Sequence, residues 1–212
     1  MLDLKMTAVI LAAYVVLFFS VHGYMDLHMF RQRSKSASKS KSVKESPFRI
    51  PSWAKIAAFT PSLVFWVLFI AGPVLLYTGV YQKVVGLILI QWEYEHVLQE
   101  IGLVLVLIGI VLADWGRVSR GDVAPSLDMP EGYTLTTHGA YNVVRHPMYV
   151  SYSFFFVGFP LVLLNPALFW FVIGIFGYYR IAKEEERVLL QRFNNQYKKY
   201  QERVGMFFPK LI

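Results

Sequence analysis

Across positions 56–77 the chain carries no charged side chain, and nothing else constrains its fold as strongly. A helix of that length covers a hydrocarbon core of about 30 Å. No water is available there to satisfy peptide groups, so the backbone must close its hydrogen bonds within the helix. Further apolar blocks occupy positions 6–21, 97–113, 148–164 and 167–179, and a piece at 84–92 is too brief to cross alone. Hydrophobic residue types make up 56% of the 212 residues and charged types only 17%, against about 25% in soluble domains. An apolar excess gathered into blocks predicts an all-α, polytopic membrane bundle of about five transmembrane helices and no separate soluble domain.

The polar connections divide the bundle. Positions 31–55 are rich in Ser and Lys, with Glu45 their only acid, which predicts a basic cytoplasmic loop. A lipid-binding or phosphoregulated role is the alternative to plain retention. Glu93, Glu95 and Glu100 suit the opposite face. Gly102 and Gly109 lie two turns apart on one helix face and permit close helix contact, while Pro61 and Pro73 kink or bound their span. Positions 114–145 hold Gly116, Gly121, Pro125, Pro130 and Gly132 and read as a loop with turns. Asn165-Pro166 makes the turn of a short antiparallel hairpin over 148–180. From Ile181 onward, Leu189, Phe193, Tyr197 and Tyr200 recur at helical spacing among charged residues. That pattern predicts a C-terminal cytosolic amphipathic helix. The expected division is an N-terminal set of transmembrane helices, 1–113, and a second region, 114–212, that holds the hairpin and the C-terminal helix. With the basic loop inside, the N-terminus is outside and the polar segments of the second region face the cytoplasm.

Several chemistries drop out. The chain has no cysteine, hence no disulfide, thiolate ligand or thiol nucleophile. The formal charge of +7 points to anionic headgroups rather than nucleic acid, because no stacking platform or recognition motif accompanies it. GxGxxG, GxxxxGK[ST] and HExxH are all missing, and His22, Asp26 and His28 read as an interfacial helix end, so no metal site is expected.

What remains is a polar cluster on either side of the short hairpin: Tyr141, Arg145, His146 and Tyr149 before it, Arg180, Glu184, Glu185 and Glu186 after it. Both sets belong at the same end of the same helix pair. Ionisable groups at that depth are costly unless paired or used. Two readings stand at this point: an Arg–Glu network that anchors helix ends with interfacial tyrosines around it, or a site.

The run His138-Gly139-Ala140-Tyr141 … Arg145-His146-Pro147-Met148-Tyr149 resembles the G-x-Y-x-x-x-R-H-P-x-Y signature of integral-membrane methyltransferases, the isoprenylcysteine carboxyl methyltransferases and phospholipid N-methyltransferases. Downstream, Glu185-Glu186-x-x-Leu189 … Phe193 … Tyr197-x-x-Tyr200-x-x-Arg203-Val204 … Pro209 is similar to the same family's E-E-x-x-L element and tail. The resemblance covers roughly 133–212. It departs where the family often has Phe-Gly and this chain has Phe193-Asn194, and where Val150-Ser151 follows the motif tyrosine in place of an early glycine.

The resemblance implies S-adenosylmethionine as cofactor, bound without a Rossmann domain. It implies an adenosyl pocket lined through backbone contacts by Tyr133, Thr134, Leu135 and Thr136, continued by Tyr141 and by His146, Pro147, Met148 and Tyr149. It gives Glu185 to the cofactor and Arg180 to the acceptor's carboxylate; if the acceptor is an amine, the chemistry asks for a carboxylate such as Glu186 or Glu184 to take its proton. The implied partners are a lipophilic or lipidated acceptor and membrane lipids, at a site facing the cytoplasm. The competing expectations are a membrane NADPH-dependent reductase of the sterol type, or a non-enzymatic membrane scaffold.

Overall fold

The structure of the protein, a computed structural model, describes residues 2–35, 48–121 and 133–210. Among the described residues six α-helices form: α1 (Leu4–Lys35), α2 (Ser52–Tyr77), α3 (Val80–Val85), α4 (Glu95–Arg120), α5 (Pro147–Val162) and α6 (Ile173–Arg203). Short 3-10 turns occupy Gly86–Ile88, Gly139–Asn142 and Pro166–Val172. The expected all-α membrane architecture is what is found. Among the described residues three helices are long and apolar enough to cross a membrane, over Leu4–Arg31, Ser52–Tyr77 and Glu95–Arg120, and α5 is a shorter apolar helix.

Helix contact is close where side chains are small. A Cβ placed on Gly102 of α4 would sit 2.6 Å from the Val162 nitrogen and 2.7 Å from the Gly158 carbonyl of α5. One on Gly109 would sit 2.5 Å from the Phe155 ring. With no hydrophobic drive between helices in lipid, such backbone approach is what holds them together. The centre is aromatic: Phe65 and Phe69 of α2 meet Phe155 and Phe159 of α5, all buried, with Phe65 and Phe155 stacked at 4.8 Å.

Polar groups fix the two ends. At one end the buried Gln99 accepts from the Leu2 amide at 2.7 Å and donates to the Val162 carbonyl at 3.1 Å, joining the starts of α1 and α4 to the end of α5. There the apolar piece expected at 84–92 begins in α3 and docks on the hairpin turn, with the Ile90 amide bonded to the Leu164 carbonyl. At the other end Arg117 pairs with Asp26 at 2.8 Å, and the Arg49 amide donates to Glu184 at 2.5 Å. The end of α1, the start of α2, the end of α4 and the start of α5 therefore share one face of the bundle.

Four expectations change. α1 runs beyond position 21 to Lys35, so the first Ser/Lys residues are helical, while 36–47 lie outside the described residues. α4 runs to Arg120, so the loop expected from Asp114 begins two helical turns later; its 122–132 part, with Pro125, Pro130 and Gly132, lies outside the described residues. The C-terminal amphipathic stretch is not a separate helix: α6 continues the hairpin without a break until Asn194, where φ 41° and ψ −115° bend it. The expected fifth span opens as a 3-10 turn, Pro166–Val172, capped by the Asn165 side chain accepting from the Ala167 amide.

Candidate active site

Pro147 stands in the first turn of α5, where a missing N–H costs nothing and a fixed φ helps. The two residues before it pair with the tail: the Arg145 and His146 amides donate to the Gly205 and Met206 carbonyls at 2.9 and 3.2 Å. This clasp brings the R-H-P-x-Y segment against the last turns of α6. The Tyr200 hydroxyl donates to the Tyr141 carbonyl and completes it.

A buried charge cluster forms behind the clasp. Arg145 donates to one Glu186 oxygen through Nε at 2.7 Å and approaches it through Nη2 at 2.6 Å, and Gln201 donates to the other oxygen at 3.0 Å. The His146 ring lies between two carboxylates, with Nε2 3.3 Å from Glu186 and Nδ1 3.4 Å from Glu185. Tyr149 donates to the remaining Glu185 oxygen at 2.6 Å. Burial favours the neutral ring, but both glutamates bond and attract the protonated form, and they raise His146 above its ordinary value. Burial likewise pushes Glu186 up, but the His146 and Arg145 bonds and charges outweigh it and hold the group at about 2. With the His146 ring protonated, it and Arg145 face the two carboxylates, which is how a buried group of charges becomes tolerable.

In front of the cluster lies a cavity of about 250 Å³. Tyr133, Leu135, Thr136, Tyr141, His146, Pro147, Met148, Tyr149 and Glu185, all expected at the site, line it. Burial, with the nearby Tyr141 and Glu185 charges, pushes the Tyr133 hydroxyl up to about 12, and burial raises Tyr141 too. The phenols therefore stay neutral donors at ordinary pH.

Four expected residues do not line the cavity. Thr134, expected to contribute through its backbone, is exposed and is absent from the cavity lining. Arg180 is exposed on α6 and does not line the cavity, because the inward face of that helix is Tyr178, Ile181, Glu185 and Leu189. Glu186 is spent on Arg145, His146 and Gln201 and forms the support behind the wall. Glu184 points to another face, bonded by Arg187 and the Arg49 amide. The anchoring reading of the cluster thus describes Glu184 and Glu186, and Glu185 alone of the three reaches the cavity.

Sequence reasoning missed other lining residues. Tyr152 is one turn beyond Tyr149, and Tyr178 and Ile181 precede Glu185 at seven and four positions, so helical spacing extended from the motif residues would have found them. Tyr178 stacks on Tyr149 and on Tyr152, each at 4.8 Å. Phe59 comes from α2, and Arg120 from the last turn of α4, in what read as loop.

An all-α membrane bundle with a pocket between one polar end and the hairpin is the class that fold and site define. Residues 97–196 match the family model for phospholipid methyltransferases. The protein-S-isoprenylcysteine O-methyltransferase of Tribolium castaneum is 32% identical over 120 residues, 54% of this chain and 42% of that protein. A probable protein-S-isoprenylcysteine O-methyltransferase of Oryza sativa subsp. indica is 32% identical over 51% of this chain and 60% of its own. These matches span about two-fifths to three-fifths of the relatives' lengths. A solved structure of the eukaryotic intramembrane Ras methyltransferase, isoprenylcysteine carboxyl methyltransferase, superposes with a TM-score of 0.50 at 23% identity, covering 92% of this chain and 67% of that one. That likeness establishes the fold. The resemblance read from the two motifs is borne out by all three comparisons.

Proposed function

We propose that the protein is an integral-membrane methyltransferase that takes its methyl group from S-adenosylmethionine and passes it to a lipophilic acceptor bearing a carboxylate, of the isoprenylcysteine kind. One observation carries the reading: the R-H-P-x-Y segment and Glu185 line one cavity at a polar end of the bundle. The relatives of Tribolium castaneum, Xenopus laevis and Oryza sativa, named for isoprenylcysteine O-methylation, support the same acceptor class.

The residues present fit the cofactor. Tyr133, Tyr141, Tyr149 and Tyr178 offer aromatic faces to a cation. Glu185 offers a carboxylate for a ribose hydroxyl or an ammonium, held in place by Tyr149 and His146. Leu135, Thr136, Pro147 and Met148 supply the rest of that wall. When bound, S-adenosylmethionine supplies an electrophilic methyl on a sulfonium, so transfer to a carboxylate cancels one charge of each sign and releases ester and thioether with no proton to move.

This chain's own work is therefore positioning. The clasp and the neutral charge cluster fix Tyr149 and Glu185 before any ligand arrives, and the surrounding tyrosines exclude water from an in-line displacement. Phe59 lines the cavity while remaining 50% exposed on the outside of α2, a route by which an apolar acceptor chain reaches the pocket from lipid. The division at 113/114 is functional in this reading, with α2 supplying the lipid-side wall and the later region the donor site. The cavity faces the cytoplasm, because the basic segment between α1 and α2 joins the bundle at the same end.

A labelled-methyl assay with purified protein and a panel of lipophilic acids, amines and thiols tests the reading. Label appears in a base-labile ester with a prenylated cysteine acid. Absence of transfer to every acid contradicts it.

A further inference from the structure

Arg120 stands in the last turn of α4, and that turn is fixed from three sides. Arg117 donates to the Gly121 carbonyl at 2.7 Å and to Asp26 at 2.8 Å. Ser119 donates to the Trp115 carbonyl at 2.7 Å and accepts the Ala140 amide at 3.0 Å. Gly139, at φ +57°, gives Ser119 room to approach. These bonds dock the end of α4 on the Gly139–Asn142 turn and present Arg120 to the cavity beside Tyr141.

The other cations at the cavity are already answered. Arg145 is held by Glu186 and the Val204 carbonyl, and His146 by both glutamates. Arg120 is different. Its guanidinium donates to the Tyr141 hydroxyl, but its Nε is buried and has no hydrogen-bond partner among the described residues, and it makes no ion pair with their carboxylates. A buried guanidinium donor left unmatched is costly. Nε forms, with one terminal nitrogen, the fork edge that takes both oxygens of a carboxylate.

We propose that Arg120 is the carboxylate-binding residue of the cavity, gripping either the amino-acid carboxylate of the methyl donor or the carboxylate of the acceptor. The assignment rests on the methyltransferase reading. It moves to Arg120 the task that the family resemblance gives to Arg180, whose side chain is exposed and away from the cavity. One fork bound to one anion is worth about ten- to a hundred-fold in affinity.

The test is calorimetric titration of wild-type protein and Arg120→Gln with S-adenosylhomocysteine and with its decarboxylated analogue, together with the KM for a prenylated cysteine acid. If the donor's carboxylate is the partner, Arg120→Gln weakens S-adenosylhomocysteine by about ten-fold or more and leaves the decarboxylated analogue unchanged. If the acceptor's is, both nucleoside affinities hold and the acceptor KM rises by that factor. Equal values for wild type and variant in all three measurements overturn the proposal, as does equal weakening of both nucleosides. Arg120→Lys keeps the charge but not the fork; it serves if the glutamine variant fails to fold, and it too binds the carboxylate ligand more weakly than wild type. Wild-type protein that binds neither nucleoside overturns the methyltransferase reading itself, a separate outcome from failure of the Arg120 assignment.

Discussion

His146 touches a carboxylate on each side, and this decides how stability follows pH. Its pKa is raised in the folded protein, so its contribution is fully present below the unfolded value near 6.5 and is lost as pH rises through the folded value. The thermal midpoint of wild type over His146→Asn in detergent is therefore largest in mild acid and shrinks toward alkaline pH; a constant difference contradicts the imidazolium. Glu186 has the opposite sign. Held at about 2 against 4.5, it contributes above 4.5 and loses that contribution as pH falls through about 2. Removing one member of the cluster leaves a buried charge unanswered, so Arg145→Ala lowers stability by about 3–5 kcal/mol, read from thermal unfolding. That arrangement was partly legible in sequence. The spacing of Arg145, His146 and the three glutamates placed them at one end of one hairpin. It did not rank the glutamates, because which of three adjacent residues faces inward depends on the phase of α6 against α5.

At the scale of elements, α4 and α5 meet through glycine. Gly102→Ala sets a methyl group within 2.6 Å of the α5 backbone, so the helices must separate, at about 1–3 kcal/mol. Gly86→Ala, with open space around it, changes little. Thermal midpoints of the two variants measure the contrast. The kink in α6 is the second weak point. Asn194 adopts φ 41° and ψ −115°, a region glycine tolerates far better, at the position where the resembling family often has glycine. Asn194→Gly is expected to raise the midpoint by an amount equivalent to about 1 kcal/mol, and a lower midpoint contradicts the strain. The Phe193-Asn194 departure was visible in sequence, and the apolar runs marked where helices lie. Their ends were not marked. Polar residues such as Asp114, Arg117 and Arg120 ended the apolar run before the helix ended, because at the membrane face a helix continues into polar surroundings without changing its backbone.

The whole molecule is a bundle whose polar face is assembled from distant parts: the end of α4, the 139–142 turn, the start of α5, the last turns of α6 and the tail around Gly205. Composition and apolar blocks were enough to read its class, and two motifs in order were enough to read its family resemblance. The wall contributed by Phe59 and Arg120 was not readable, since no local pattern announces that α2 and α4 close over a site built mainly from residues 133–200. The central claim is that these parts hold one methyl donor, with Glu185 at its polar end. Calorimetric titration of S-adenosylhomocysteine into purified wild type and Glu185→Gln in detergent tests it most directly. The account predicts saturable binding by wild type at one site per chain and binding weakened by about ten-fold or more in the variant, with helical content unchanged. Equal affinity in the two proteins, or no binding by wild type, would contradict it.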